Sequence, residues 1–165
     1  MTTVESLIPD FKGNIDSVRT IIESGPIVVS HNLETVKRLT ARVRDPRASY
    51  EQSLSLLKKC KQLSSEIYTK SSMMLGLGES EDEIIETMSD LRSVGVDILT
   101  MGQYLQPTAS HFPVYEYIHP EQFEILREIA KAMGFIYVAS GPLVRSSYRA
   151  GDLFAQKIIP KPACI

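Results

Sequence analysis

Arg145-Ser146-Ser147-Tyr148, near the end of a 165-residue chain, sets two hydroxyls beside a guanidinium just after an apolar run. The grouping marks a site, where the charge of Arg145 could lower the effective pKa of a neighbouring hydroxyl. The plainer reading is a polar turn closing the last element, with Arg145 paired to a surface acid, because Ser and Arg are mostly exposed. Three further segments shift the balance towards a site. In His31-Asn32-Leu33-Glu34 an amide and a carboxylate stand two residues apart. Both can accept hydrogens from vicinal hydroxyls, as acids at strand ends do for ribose in nucleotide-binding folds. Asn32 and Glu34 equally suit a helix start, Asn as a cap and Glu for the helix dipole, and His31 reads as a structural histidine. Lys70 and Ser71 lie on an apolar run and could face a carboxylate; that run empties into Gly76-Leu77-Gly78. The two glycines allow close approach of a ligand, or simply turn the chain from strand to helix. Gln103-Tyr104-Leu105-Gln106-Pro107 ends another run.

The elements that must position these residues alternate. Val4 to Ile8, Ile27 to Val29, Ile67 to Leu75, Asp97 to Met101 and Ile136 to Ala139 read as strands. Helical spacing covers Ile15 to Ile22, Leu33 to Val43, Tyr50 to Leu63, Ser80 to Val94 and Pro120 to Met133. Ser80 and Glu83 form a capping box, and Pro120 suits a first helical turn. The order strand, helix, strand, helix predicts parallel strands with right-handed crossovers, hence an α/β fold that is a barrel fragment or an open sheet. In such sheets chemistry collects at the C-terminal ends of the strands, where all four segments fall.

Composition sets outer limits. A 43% hydrophobic content and a net charge of -2 suit one globular domain and argue against nucleic acid as a main partner. No apolar run approaches the roughly 18 residues of a membrane span, and no signal-peptide pattern opens the chain, so a soluble intracellular protein is expected. The two cysteines, Cys60 and Cys164, are too far apart for a local metal-ligand pair and form no disulfide framework.

Taken together the segments resemble the lipoyl synthases, a family of radical S-adenosylmethionine enzymes. The resemblance runs from Val4 to about Tyr148. It rests on Leu7-Ile8-Pro9-Asp10-Phe11, His31-Asn32-Leu33-Glu34-Thr35, Thr69-Lys70-Ser71, Met74-Leu75-Gly76-Leu77-Gly78-Glu79, Gln103-Tyr104-Leu105-Gln106-Pro107, His111 with Pro113-Val114, and Ser140 to Tyr148. It implies a partial (β/α) barrel of the radical type with helices outside, of which this chain supplies about four parallel strands over residues 1–140, followed by a tail over 141–165 that carries the Arg-Ser-Ser-Tyr motif. The implied activity is radical insertion of two sulfur atoms at the sixth and eighth carbons of a protein-bound octanoyl-lysine. The implied cofactors are two 4Fe-4S clusters and S-adenosylmethionine. Asn32, Glu34, Lys70, Ser71 and Gln103 would then bind S-adenosylmethionine. Ser146 or Ser147 would ligate an iron of the auxiliary cluster, supported by Arg145. An oxygen ligand matches cluster iron more weakly than a thiolate, which suits a cluster consumed as the sulfur source. Implied partners are an electron donor and an octanoylated carrier domain, either the acyltransferase component of a 2-oxoacid dehydrogenase or the glycine cleavage H protein; neither nucleic acid nor membrane is expected. The location would be the cytoplasm, or a mitochondrial or plastid matrix in a eukaryote.

One departure from the family is decisive. The CxxxCxxC set that holds the radical cluster and the further N-terminal cysteine trio are both absent from the 165 residues, and clusters are held by thiolates. The expectation is therefore the C-terminal half of such an enzyme, without identifiable catalytic residues, inactive and cluster-free until joined to a missing N-terminal half. Ser72-Met73 also stands where relatives carry Gly-Leu. A cluster-free nucleotide- or carrier-binding protein is the alternative from another class, and a biotin-synthase-like sulfur inserter the more distant one.

Overall fold

The computed structural model describes residues 3–147. Five strands, β1 (Glu5–Leu7), β2 (Val28–Ser30), β3 (Tyr68–Leu75), β4 (Ile98–Gln103) and β5 (Tyr137–Ser140), alternate with helices α1 (Ile15–Glu23), α2 (Lys37–Val43), α3 (Tyr50–Leu63), α4 (Glu81–Ser93) and α5 (Pro120–Ala132). The strands pair in chain order, every pair parallel. Strands that follow one another in order, with crossovers of one hand, place every helix on the same side of the sheet. The sheet is not closed, which fits a partial radical-type barrel with five strands rather than about four.

Local chemistry explains the boundaries. Asn14 caps α1 through its side-chain oxygen, and Gly25 follows the end of that helix with φ +81°. Ser80 and Glu83 complete the expected capping box, with Ser80 N–H donating to the Glu83 carboxylate at 2.9 Å. Pro120 opens α5, whose N-cap is His119. One expected helix is shorter than its periodicity: α2 begins at Lys37 rather than Leu33. Leu33 to Val36 are held away from helical geometry because the Ser71 hydroxyl accepts the Leu33 N–H at 3.1 Å and Glu34 bridges to β3.

Register and the period of two divide the strands cleanly. Met73, Leu75, Leu99, Met101 and Val138 share one face and bury against Leu57 of α3, Met88 and Leu91 of α4 and Phe123 and Leu126 of α5. Val29 on the same face packs with Val18, Leu56 and Cys60. The opposite, helix-free face carries Val28, Ile98 and the flanking Tyr68 and Tyr137 at the strand starts. Above that apolar floor come Ser30, Lys70, Ser72 and Thr100, all buried and polar. Among the described residues no helix is long and apolar enough to cross a membrane.

Candidate functional site

Past the end of β2 the chain turns so that Glu34 is bonded to β3 through both of its backbone groups. Its N–H donates to Ser72 O at 3.0 Å and its carbonyl accepts the Met74 N–H at 2.9 Å. Glu34 holds φ +71°, a left-handed conformation that costs a non-glycine residue about 1–2 kcal/mol. Such strain persists where the surrounding hydrogen bonds over-determine it and clusters at functional positions. The Glu34 carboxyl is pushed up from its ordinary value, chiefly by burial, while Asn32 and then the positive Arg44 act against that rise. The Asn32 side-chain oxygen is buried and has no hydrogen-bond partner. An amide oxygen without a partner beside a carboxylate is a ready acceptor pair for vicinal hydroxyls, since a buried acceptor left unmade costs free energy until a ligand supplies the donor.

The segment after β5 folds back over the strand ends. Gly141 N–H donates to Met101 O at 3.1 Å, Val144 is buried, and Arg145 donates to Gln103 O at 3.1 Å. Gly102 makes the approach possible: a Cβ on it would lie 2.0 Å from Val144 O. A cleft of about 220 Å³ results, lined by Asn32, Glu34, Ser72, Met74, Arg145 and Ser146 among others. Two segments more than a hundred positions apart in sequence thus share one wall. Ser147 is exposed and does not line the cleft; Tyr148 and Cys164 lie outside the described residues.

The remaining sequence-derived candidates divide. Lys70 is 1% exposed on the helix-free face and donates to Glu5 Oε1 at 2.7 Å. The other Glu5 oxygen, the Ser30 hydroxyl and the Thr100 hydroxyl are buried without partners, so a polar layer lies beneath the cleft. Ser71 sits on the helix-facing side and supports the Asn32–Glu34 turn through Leu33. Gln103 also faces away from the cleft, donating to Glu116 O at 3.0 Å and accepting the Ile118 N–H at 2.9 Å. It thereby orders the 104–119 stretch that looks irregular in sequence. Gly76, at φ +96°, could not carry a Cβ, which would fall 2.4 Å from Glu116 O. Glu79 takes the Gly76 and Leu77 N–H groups at 2.6 and 2.9 Å.

His31 has the structural role its type favours. Nδ1 meets Ile8 O and Nε2 meets the Ser53 hydroxyl, each at 2.9 Å, and burial lowers its pKa. Arg44, at the end of α2, donates to the same Ser53 hydroxyl at 2.9 Å. Neither Arg44 nor Ser53 is marked in the sequence by any motif. Strand alternation marks Ser72, two residues from Lys70, as sharing its face; Ser30 and Thr100 join them only through the pairing of β2 and β4 with β3.

Among the described residues no three of His, Cys, Asp and Glu converge on a metal position. Cys60 is buried among Val18, Val29 and Leu56, and burial pushes its thiol up to about 11, the reverse of a ligand thiolate. The described residues therefore do not supply a cluster site. The Asn32–Glu34 cleft, with its unpartnered acceptor, does fit a nucleoside.

Comparison with known proteins places the chain in context. The sequence model of the Radical SAM superfamily matches residues 2–91. The chloroplastic lipoyl synthase of Ricinus communis is 57% identical over 156 residues, covering 94% of this chain and 43% of that protein. The chloroplastic lipoyl synthase of Chlamydomonas reinhardtii is 57% identical over 157 residues, with 94% and 36% covered. The apicoplast lipoyl synthase of Plasmodium yoelii yoelii is 53% identical over 158 residues, with 96% and 32% covered. The chain thus spans well under half the length of these relatives. Among solved structures the HMG-CoA lyase of Bacillus subtilis superposes with a TM-score of 0.57 at 15% identity, over 95% of this chain and 51% of that one. That likeness concerns the fold alone.

Proposed function

The chain belongs to the radical SAM superfamily, and from that premise we propose that it forms the nucleotide-binding and serine-bearing part of a lipoyl synthase. The proposed reaction inserts two sulfur atoms at the sixth and eighth carbons of an octanoyl-lysine on a carrier domain. The observation that carries the reading is the meeting of Asn32 and Glu34 with Arg145 and Ser146 in one cleft at the C-terminal ends of parallel strands. Supporting it are relatives named lipoyl synthase at 53 to 58% identity.

In this reading S-adenosylmethionine, when bound, supplies the hydrogen-abstracting radical. The chain's own residues bind and orient it. Asn32 and Glu34 accept from the ribose hydroxyls, and the backbone past β4 borders the adenine. Ser71 and Gln103 act one step back, the first by holding the turn and the second by ordering the 104–119 loop. Lys70, buried on the helix-free face beneath the cleft, would meet a ligand carboxylate only in exchange for its Glu5 partner. Ser146 or Ser147 supplies a hydroxyl to an auxiliary cluster whose thiolates come from elsewhere in the enzyme, with Arg145 fixing the segment. Val144 and the 141–147 segment lie over the strand ends and exclude water from them. The carrier is the acyltransferase component of a 2-oxoacid dehydrogenase or the glycine cleavage H protein. An organellar location, as in the names of the chloroplast and apicoplast relatives, goes with the same reading.

The test uses a full-length enzyme carrying these residues. Alanine at the ligating serine, Ser146 or Ser147, should abolish lipoyl formation while reductive cleavage of S-adenosylmethionine continues; alanine at the other should matter far less. Asn32→Ala or Glu34→Ala should instead weaken S-adenosylmethionine binding by about 1–3 kcal/mol for each lost buried partner. Unchanged sulfur insertion with alanine at both serines would leave a surface turn and no site.

A further inference from the structure

The sheet contributes Ser72, Met73, Met74 and Gly102 to the lining of the cleft, and of these only Ser72 carries a hydrogen-bond donor in its side chain. Its position follows from the pleat. Ser72 points to the helix-free side of β3, two residues before Met74, and pairs in register with Thr100 of β4. Towards β2 its carbonyl accepts the Glu34 N–H at 3.0 Å, so the turn that carries Asn32 and Glu34 is its other neighbour. Ser72 thus stands between that turn and Thr100, below Met74 and Gly102. It is 7% exposed, and among the described residues no group bonds to its hydroxyl. The groups on either side are in the same condition: the Asn32 side-chain oxygen and the Thr100 hydroxyl are buried without partners. Such a row of unmade hydrogen bonds is costly until a ligand supplies the missing partners.

We propose that Ser72 is a specificity residue of this cleft, its hydroxyl donating to one hydroxyl oxygen of a ligand sugar whose protons Asn32 and Glu34 accept. The role deepens the nucleotide reading of the cleft and rests on it. Each hydroxyl of a vicinal diol gives one proton and offers two lone pairs. The Asn32 oxygen and an ionised Glu34 only accept, so they take the two protons and leave the lone pairs of the diol unmet. A serine hydroxyl donates as well as accepts, and Ser72 is the residue of the sheet that brings one beside both acceptors. The other donors of the lining are placed differently. Arg145 is exposed and turned to Gln103 O at 3.1 Å, and Ser146 belongs to the 141–147 segment that folds over the strand ends. Met74 and Gly102, above Ser72, bring no competing donor. A sugar lacking the hydroxyl that Ser72 meets leaves the serine unpaired, and an unpaired buried polar group is what makes such a contact selective.

The experiment measures binding to the 165-residue chain by calorimetry, with adenosine, 2′-deoxyadenosine, 3′-deoxyadenosine and 2′,3′-dideoxyadenosine as probes. The parent chain should prefer adenosine to the dideoxy probe. Ser72→Ala should weaken adenosine about fivefold and leave the dideoxy probe unaffected. The monodeoxy isomer that lacks the hydroxyl met by Ser72 should be equally insensitive to the substitution, while the other isomer weakens about as much as adenosine. Ser72→Thr keeps a hydroxyl and should retain the selectivity. Should Ser72→Ala fail to fold, Ser72→Cys, whose thiol donates only weakly, carries the same test with a smaller loss. An adenosine affinity unchanged on loss of the hydroxyl overturns the proposal, and so does a loss shared equally by all four probes, which is what a packing role would give. A parent chain that binds adenosine no better than the dideoxy probe overturns the ribose reading of Asn32 and Glu34 as well, so the two failures are told apart.

Discussion

Replacing Gly102 by alanine should detach the 141–147 segment from the sheet and open the cleft without unfolding the core. A Cβ at this position would sit 2.0 Å from Val144 O and 3.0 Å from Val144 C. Both atoms are backbone, so no rotamer change relieves the contact, and overpacking of this kind costs about 1–3 kcal/mol when the structure strains to keep it. The alternative is release of the segment. That route forfeits the burial of Val144, 7% exposed, at about 1.5 kcal/mol. It also forfeits the Arg145 bond to Gln103 O, at about 1–1.5 kcal/mol. The two routes cost about the same, so the penalty is capped near 3 kcal/mol, and release gains on strain as temperature rises because it frees backbone entropy. For a domain of this size that corresponds to a fall in Tm of roughly 5–10 °C. Hydrogen exchange supplies the decisive readout: the Gly141 and Val144 amides, bonded at 3.1 and 3.0 Å, should lose protection, while the β3 and β4 amides keep theirs. Alanine at Gly102 with a Tm within 1 °C of the parent and unchanged protection over 141–147 would refute the packing argument.

Other expectations follow from the same geometry. His31 has a folded pKa below 6.5, so the unfolded chain takes up the proton first and stability should fall as pH drops through and below about 6.5; His31→Gln should flatten that part of a Tm-against-pH curve while costing about 1–3 kcal/mol at pH 7. Glu34 has a folded pKa above 4.5, so its contribution to stability is lost as pH rises from 4.5 through the folded value. Glu34→Gln should accordingly raise stability at pH 7 in urea melts, and a loss of stability would contradict the assignment. Cys60, with its thiol pushed up to about 11, should alkylate slowly at pH 8 in the native protein and quickly in denaturant, followed by mass spectrometry of its peptide. Reconstitution of the 165-residue chain with iron and sulfide should leave no stoichiometric cluster after desalting, because the described residues gather no ligand set.

Much of this architecture is legible in the chain itself. The alternation of β-branched runs with helical periods announces a parallel α/β sheet, because a strand buried on its sheet faces and a helix buried on one stripe leave different apolar spacings. The Ser80–Glu83 cap and Pro120 mark helix starts by interactions that span only a few residues. The motif pairs at the strand ends, Asn32 with Glu34 and Arg145 with the two serines, also stand out, since residue type and local spacing suffice to see them. What local spacing misjudged was Leu33 to Val36. Their periodicity continues into α2, yet bonds from Leu33 and Glu34 to Ser71, Ser72 and Met74 of β3 hold the segment out of the helix.

The residue types, the element order and the end of the sheet on which the candidate residues fall were thus legible in the sequence alone, because each depends on neighbours within about one turn or one strand. Tertiary structure decided which of those residues meet. Glu34 lines a cleft with Ser146, and Arg44 reaches Ser53 and His31, only because parallel crossovers bring the end of every strand to one edge. It also decided that Ser71 and Gln103, one residue out of phase with Lys70, Ser72 and Gly102, face the helices. A pleat has a period of two, so the side a residue takes is set by register against the neighbouring strand and by which face the helices cover. Both of those depend on contacts between residues far apart in the chain.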